Sequence, residues 1–187
     1  MATLIVPARY NPLHKRLVQL AGVYGIRSVL ELGCGDWGRY VKYLRTEGFD
    51  AEGIDGGDYA RDAPYLHHVD SSEMAEIFGE RKFDAIVSLR VFSEGAQMAY
   101  RFKDMDQRID TILLQARYPE FKEQLDNELE NVCRGVLTHC FVQLREGGLM
   151  LMREGRGERI HFQDELPPQV GFRVLRYNGL EAVLQKP

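Results

Sequence analysis

Val29-Leu30-Glu31-Leu32-Gly33-Cys34-Gly35-Asp36-Trp37-Gly38 is the stretch that decides the fold. Val29 to Leu32 is a short apolar run interrupted only by Glu31, which suits a buried strand. Three glycines follow within six residues, and a helical pattern begins at Arg39 and runs to Glu47. Glycine has no Cβ and tolerates positive φ, so such a turn lets backbone approach a ligand closely. The helix behind it presents N–H groups that no carbonyl of the same helix can satisfy. Gly33, Gly35 and Gly38 also fit G-x-G-x-x-G, and Asp55 stands twenty residues beyond Gly35. That spacing matches a fingerprint in which the acid binds ribose hydroxyls, so a nucleotide-bearing cofactor is expected.

Outward from this stretch the chain alternates. Asn11-Pro12 predicts a helix start with Asn as cap, and Leu13, Leu17, Leu20 and Ala21 give that helix its apolar stripe. Ser28–Leu32, Ala51–Asp55, Leu66–Val69, Phe83–Leu89 and Leu149–Met152 read as strands. Met74, Ile77 and Phe78 mark a short helix. Phe121, Leu125, Leu129, Val132, Val136, Cys140 and Leu144 mark a long one. Arg173–Arg176 and Ala182–Gln185 flank Asn178-Gly179, the strongest local signal for a hairpin. Strands separated by helices imply crossover connections and a parallel sheet. The expected fold is therefore α/β: a three-layer, Rossmann-like, seven-stranded, mostly parallel sheet with a carboxyl-terminal antiparallel hairpin.

Bulk properties bound the function. At 187 residues the prior is one domain, residues 1–187. A hydrophobic share of 44% and a charged share of 28% are ordinary for a globular chain. The net charge of −4 and the absence of basic runs argue against nucleic acid as a partner. No stretch approaches the roughly 18 apolar residues of a membrane span, and residues 1–7 carry no signal-peptide pattern. Three cysteines without CxxC spacing fit reduced thiols and a cytoplasmic protein, and no cluster has metal-ligand spacing.

In this order of motifs the chain resembles the class I S-adenosylmethionine-dependent methyltransferases over about residues 26–186. "VLELGCGDWG" is similar to their first motif, "AEGID" to the second strand with its terminal acid, and "HHVDSS" to the third. "FDAIVSL" resembles the fourth strand, "LREGGLMLM" the helix–Gly-Gly–strand signature of the fifth, and "GFRVLRYNGLEAVLQK" the closing hairpin. The resemblance implies S-adenosylmethionine as cofactor. Gly33 and Gly35 would admit its methionine end, and Glu31 would orient the loop or meet the amino group through water. Asp55 would accept from both ribose hydroxyls, with Gly56 beside it. Asp70 would accept from the adenine amino group, with the Ser71 N–H nearby, and Ser88 would face the methyl group. Asp55 and Asp70 also read as plain turn or cap residues. Trp37 stands where many members carry a small residue, so it either covers the cofactor or packs at the helix start.

Methyl transfer from a sulfonium has a good neutral leaving group, so alignment supplies much of the rate and no triad is required. No catalytic residue is therefore assigned. Arg90, Phe92, Glu94, Arg153 and Glu154, past the ends of strands four and five, are candidates for contact with a methyl acceptor, and His161 is a candidate base. The connection from Ser93 to Glu146 is more than twice the roughly 20 residues expected. A helical insertion at about 93–119, carrying Met98, Tyr100, Phe102, Met105, Ile109, Ile112 and Leu113, would form a cap over a small-molecule acceptor, a homodimer surface or extra core. A non-catalytic protein that binds the cofactor, its demethylated product or a partner on the same fold is the alternative from another class.

Overall fold

The computed structural model describes residues 8–35, 37–56, 63–92, 119–154, 160 and 165–187. Seven strands form one sheet in the order β3-β2-β1-β4-β5-β7-β6. They are β1 (Ser28–Leu32), β2 (Asp50–Ile54), β3 (Leu66–His67), β4 (Phe83–Leu89), β5 (Leu144–Arg153), β6 (Arg173–Tyr177) and β7 (Glu181–Gln185). The first five are parallel to one another, and β7 runs antiparallel between β5 and β6. A 3-10 turn (Ala8–Tyr10) leads into α1 (Asn11–Tyr24), followed by α2 (Arg39–Thr46), α3 (Met74–Phe78), α4 (Pro119–Gln143) and α5 (Leu166–Val170).

The central strands β1, β4 and β5 are buried on both faces, as parallel strands require. One face packs Leu30, Leu32, Ile86, Met150 and Met152 against Met74 and Phe78 of α3 and Cys133, Leu137 and Cys140 of α4. The other packs Val29, Ala85, Val87, Leu149 and Leu151 against Leu13 and Leu17 of α1 and Tyr40, Val41 and Leu44 of α2. Three layers result, as the strand-and-helix alternation predicts.

Several boundaries differ from the sequence reading. Tyr10, not Asn11, precedes α1, and no side chain caps it, because the 3-10 turn already feeds the helix. β5 begins at Leu144 rather than Leu149. Leu144 pairs with Phe83 across a register shift, so Gly147-Gly148 lies inside the strand. β3 ends at His67, and Ile77 is exposed while Met74 and Phe78 carry the packing of α3. The short helix α5, which begins at Leu166 and continues through Pro167-Pro168, has no periodicity to announce it. The hairpin turn at Asn178-Gly179 is present: Asn178 Oδ1 accepts from the N–H groups of Leu180 and Glu181 at 3.1 and 2.7 Å. Residues 93–118, which hold nearly all of the expected insertion, lie outside the described residues, as do Asp36 and His161.

Asp84 stitches the two central strands together. Its Oδ2 accepts from the N–H groups of Arg27 and Ser28, both at 2.8 Å, and its Oδ1 accepts from Arg145. Burial by itself raises the carboxyl pKa. The backbone N–H groups of Ser28 and Arg27, the Arg145 guanidinium and the Ser28 hydroxyl outweigh it and hold the group below its ordinary 3.8. The stability this contributes is present in full above the unfolded value and is lost as pH falls through the lower folded one. Asp84→Asn, which does not titrate, is expected to cost about 1.5–3 kcal/mol at neutral pH and to flatten the acid limb of stability. Urea melts between neutral pH and about pH 3 measure both; an unchanged acid limb would count against this role.

Cys34, Cys133 and Cys140 are all buried, and none is in a disulfide. Burial, helped by the charges of Glu154 and Glu130, pushes the Cys133 thiol up to about 12, and burial also raises Cys140. Reactivity follows the thiolate. A disulfide reagent is expected to label none of the three rapidly in the folded protein and all three after unfolding; a fast-reacting native thiol would contradict this packing.

Candidate functional site

The strand order reverses between β1 and β4, which pair side by side, and ligands in open parallel sheets bind beyond the carboxyl ends of strands at such a switch point. The glycine turn sits there. Gly33, Gly35 and Gly38 have φ of +68°, +69° and +50°, a region in which a Cβ is strained. The turn folds against the end of β2: the N–H groups of Gly33 and Cys34 both donate to the Ile54 carbonyl, at 2.9 and 3.1 Å. A Cβ on Gly33 would lie 2.8 Å from Val91 Cγ2, so this glycine admits the segment after β4. A Cβ on Gly35 would meet no described atom within 4 Å. Among the described residues, the turn is therefore packed at Gly33 and open at Gly35.

Asp55 immediately follows β2. Its Oδ2 accepts from the Gly35 N–H at 2.8 Å, so this acid latches the turn. A carboxylate has about four acceptor sites, and this bond engages one of them. Gly56 lies next to the loop after β3: a Cβ built on it would stand 3.7 Å from Asp70 Oδ2. Asp70 caps the 3-10 turn Ser71–Glu73. Its Oδ1 accepts from the Ser72 N–H at 2.8 Å, while Glu73 accepts from the Asp70 N–H at 2.8 Å. The capping reading of Asp70 is thus realised through Oδ1, while Oδ2 borders Gly56. The Ser71 hydroxyl donates to Asp70 Oδ1 at 3.4 Å.

Glu31 and Ser88 lie on opposite faces of the sheet. Glu31 is buried among the side chains under α1 and α2, where the Tyr10 hydroxyl donates to Oε1. Tyr10 in turn stacks on Tyr40, with centroids 4.3 Å apart. Burial and the Glu31 charge raise the Tyr40 hydroxyl well above its usual range, so it stays protonated. Glu31 is therefore a structural anchor for Tyr10, the residue before α1, as well as a neighbour of the turn. Ser88 pairs with Leu32 and is 1% exposed; its Oγ has no hydrogen-bond partner among the described residues. Trp37 is 58% exposed, which removes the core-packing reading and leaves it at the rim of the turn.

Beyond β4 the chain is held tightly. Arg90 adopts φ +64°, the one described non-glycine residue at positive φ, and its N–H donates to the Arg153 carbonyl at 3.0 Å. Such strain persists only where surrounding contacts enforce it. Phe92 is fully buried, and its N–H donates to Oε1 of the buried Glu154 at 2.9 Å. Glu154 thus serves the backbone after β4. The structure brings the glycine turn, both acids and Ser88, singled out from the sequence, to one edge of the sheet. Nothing in the sequence singled out Tyr10, whose partner lies on another element, and no local pattern signals such a pairing. Among the described residues no three His, Cys, Asp or Glu side chains form a metal set, and no helix is long and apolar enough to cross a membrane.

Compared by sequence, the chain matches no protein-family model and no curated protein. Compared by structure, it is similar to solved methyltransferases. The N-methyltransferase NodS from Bradyrhizobium japonicum WM9, in complex with S-adenosyl-L-homocysteine, superposes with a TM-score of 0.54 at 14% identity, covering 98% of this chain and 90% of that one. DesVI of Streptomyces venezuelae gives 0.58 at 15% identity, covering 95% and 92%. The T. thermophilus 16S rRNA N2 G1207 methyltransferase RsmC, in complex with AdoMet and guanosine, gives 0.57 at 18% identity over 99% of this chain and 44% of that one. The chain has the Rossmann-like fold of the class I S-adenosylmethionine-dependent methyltransferases.

Proposed function

We propose that this chain is an S-adenosylmethionine-dependent methyltransferase acting on a small molecule. The observation that carries the reading is the latch between Asp55 and Gly35, which joins an acid after β2 to a positive-φ turn after β1 at the switch point. The residues present fit the cofactor. The open side of Gly35 leaves room for its methionine end. Asp55 offers charged acceptors for two ribose hydroxyls. Asp70 Oδ2, beside Gly56, would accept from the adenine amino group, with the Ser71 N–H as the neighbouring donor. Ser88 keeps a buried hydroxyl without a described partner at the end of β4, next to β1.

When bound, the cofactor supplies an activated methyl group on a sulfonium. The chain's own task is to position: the latched turn holds the cofactor end, and the 90–92 segment, tethered by Glu154 and the Arg153 carbonyl, borders the space where an acceptor would lie. Alignment of this kind accounts for much of the acceleration in such displacements. Calorimetry with S-adenosylmethionine, S-adenosylhomocysteine and NAD tests the cofactor. Binding of NAD, or of none of the three, would sink the reading. Release of S-adenosylhomocysteine with pooled small-molecule acceptors then separates the enzyme from a protein that only binds the cofactor.

A further inference from the structure

Positive charge gathers at one point of the carboxyl edge. Glu181 opens β7 opposite Arg153, the last residue of β5, and is buried. Three guanidinium groups from three elements face its carboxylate: Arg16 Nε of α1 at 3.6 Å, Arg153 Nη1 at 3.7 Å and Arg176 Nε of β6 at 3.7 Å. These are ion-pair distances. A guanidinium engaged in hydrogen bonds to a carboxylate sits at about 2.7–2.9 Å. Arg16 Nε is buried with no hydrogen-bond partner among the described residues. The side chains of Arg153 and Arg176 donate no hydrogen bond to a described atom. Arg16 Nη1 donates to Gln19 Oε1 at 3.4 Å. Among the described residues three cations therefore share one anion, with most of their planar donor forks unspent.

Mutual repulsion among guanidiniums is costly in a partly buried place unless a further anion relieves it. The side chains of Arg16, Arg153 and Arg176 are 32%, 26% and 47% exposed, so a ligand can reach them. Their place matters too. Arg153 lies two strands from β1, about 10 Å at the usual strand spacing, and its carbonyl holds the Arg90 N–H beyond β4. A planar fork matches the geometry of carboxylate and phosphate oxygens.

We propose that Arg16, Arg153 and Arg176 form a subsite for one carboxylate or phosphate group, so that the methyl acceptor is an anionic small molecule; its assignment to an acceptor rests on the methyltransferase reading. Glu181 keeps the three cations apart and in register, and the incoming oxyanion takes the donors that Glu181 leaves unused. Among the described residues, three arginines against one glutamate leave a local excess of two positive charges, which suits one anionic group rather than a polyanion.

The test titrates inorganic phosphate and succinate, at ionic strength held constant with sodium chloride, into the full chain and into Arg176→Gln, Arg176→Lys and the Arg153→Gln/Arg176→Gln double variant. Calorimetry with S-adenosylhomocysteine runs in parallel, and circular dichroism checks folding. The wild type is expected to bind at least one anion, with phosphate preference identifying a phosphorylated acceptor and succinate preference a carboxylic acid. Arg176→Gln should weaken that binding at least fivefold, Arg176→Lys less, and the double variant should abolish it, all with product affinity unchanged within twofold. Arg176 is half exposed, so its single variants keep the test sound if the double variant misfolds. Failure of both anions to bind, or equal binding by wild type and Arg176→Gln, overturns the subsite. Anion binding without product binding overturns the methyltransferase reading and the acceptor assignment, while the anion site stands.

Discussion

Asp55→Ala will weaken S-adenosylhomocysteine binding by about 10- to 100-fold, a loss of about 1.4–2.7 kcal/mol. The carboxylate has two tasks on the proposed reading. It accepts from the Gly35 N–H at 2.8 Å, which holds the turn in its positive-φ form, and it accepts from ribose hydroxyls. A hydrogen bond to a charged group contributes about 1.5–3 kcal/mol, so losing either task alone reaches the lower end of the range. Asp55→Asn keeps one acceptor oxygen without its charge and is expected to fall between wild type and Ala. Asp55 is only partly buried, so the melting temperature should move little. Calorimetry on folded variants decides: product affinity within twofold of wild type in Asp55→Ala would remove Asp55 from the site.

The second large effect concerns folding. Gly53 lies within β2, where a Cβ would stand 2.7 Å from Val41 Cγ2, 2.8 Å from Cys34 Cβ and 2.9 Å from Cys34 Sγ. All three neighbours are buried parts of α2 and of the glycine turn, so none can swing aside. Gly53→Ala is expected to destabilise the protein by about 2–3 kcal/mol through overpacking, lowering the melting temperature by roughly 5–10 °C. Alanine normally improves a strand over glycine, so the sign of the change is itself diagnostic. Gly22, inside α1 with no atom within 4 Å of its would-be Cβ, is the control; there alanine should stabilise by about 0.5–1 kcal/mol. Thermal melts of the two variants shifting in the same direction would contradict the close packing of β2 on α2.

The two effects arise from the same short stretch. The glycine turn is pressed between Ile54, Asp55 and the segment after β4, and Gly53 lets α2 lie close enough for this to happen. Stability and the candidate site are therefore coupled at β1 and β2. A variant that loosens Gly53 packing should also weaken product binding, whereas Asp55→Ala should weaken binding alone.

Local chemistry determined a great deal here. Apolar runs bounded by turn residues located the central strands, because burial on both faces leaves a signal that does not depend on distant partners; β6, which has no buried residue, was legible from the turn that follows it. Positive-φ glycines after Leu32 and the Asn178-Gly179 turn were legible because only a few residue types tolerate such backbone. The spacing from Gly35 to Asp55 marked the acid that latches the turn. What the chain alone left open depended on partners far away in sequence. β5 starts at Leu144 because Phe83 offers a rung to pair with. Asp70 had two readings, and the tertiary arrangement gave its Oδ1 to a cap and set its Oδ2 beside Gly56. Glu31 became an anchor for Tyr10 because the 3-10 turn Ala8–Tyr10 packs against the end of β1. The three arginines around Glu181 come from α1, β5 and β6, and only the sheet order brings them together. Periodicity and turn preference act over a few residues and survive in the linear text. Charge and hydrogen-bond partnerships act across space, so they exist only once the strands have found their neighbours.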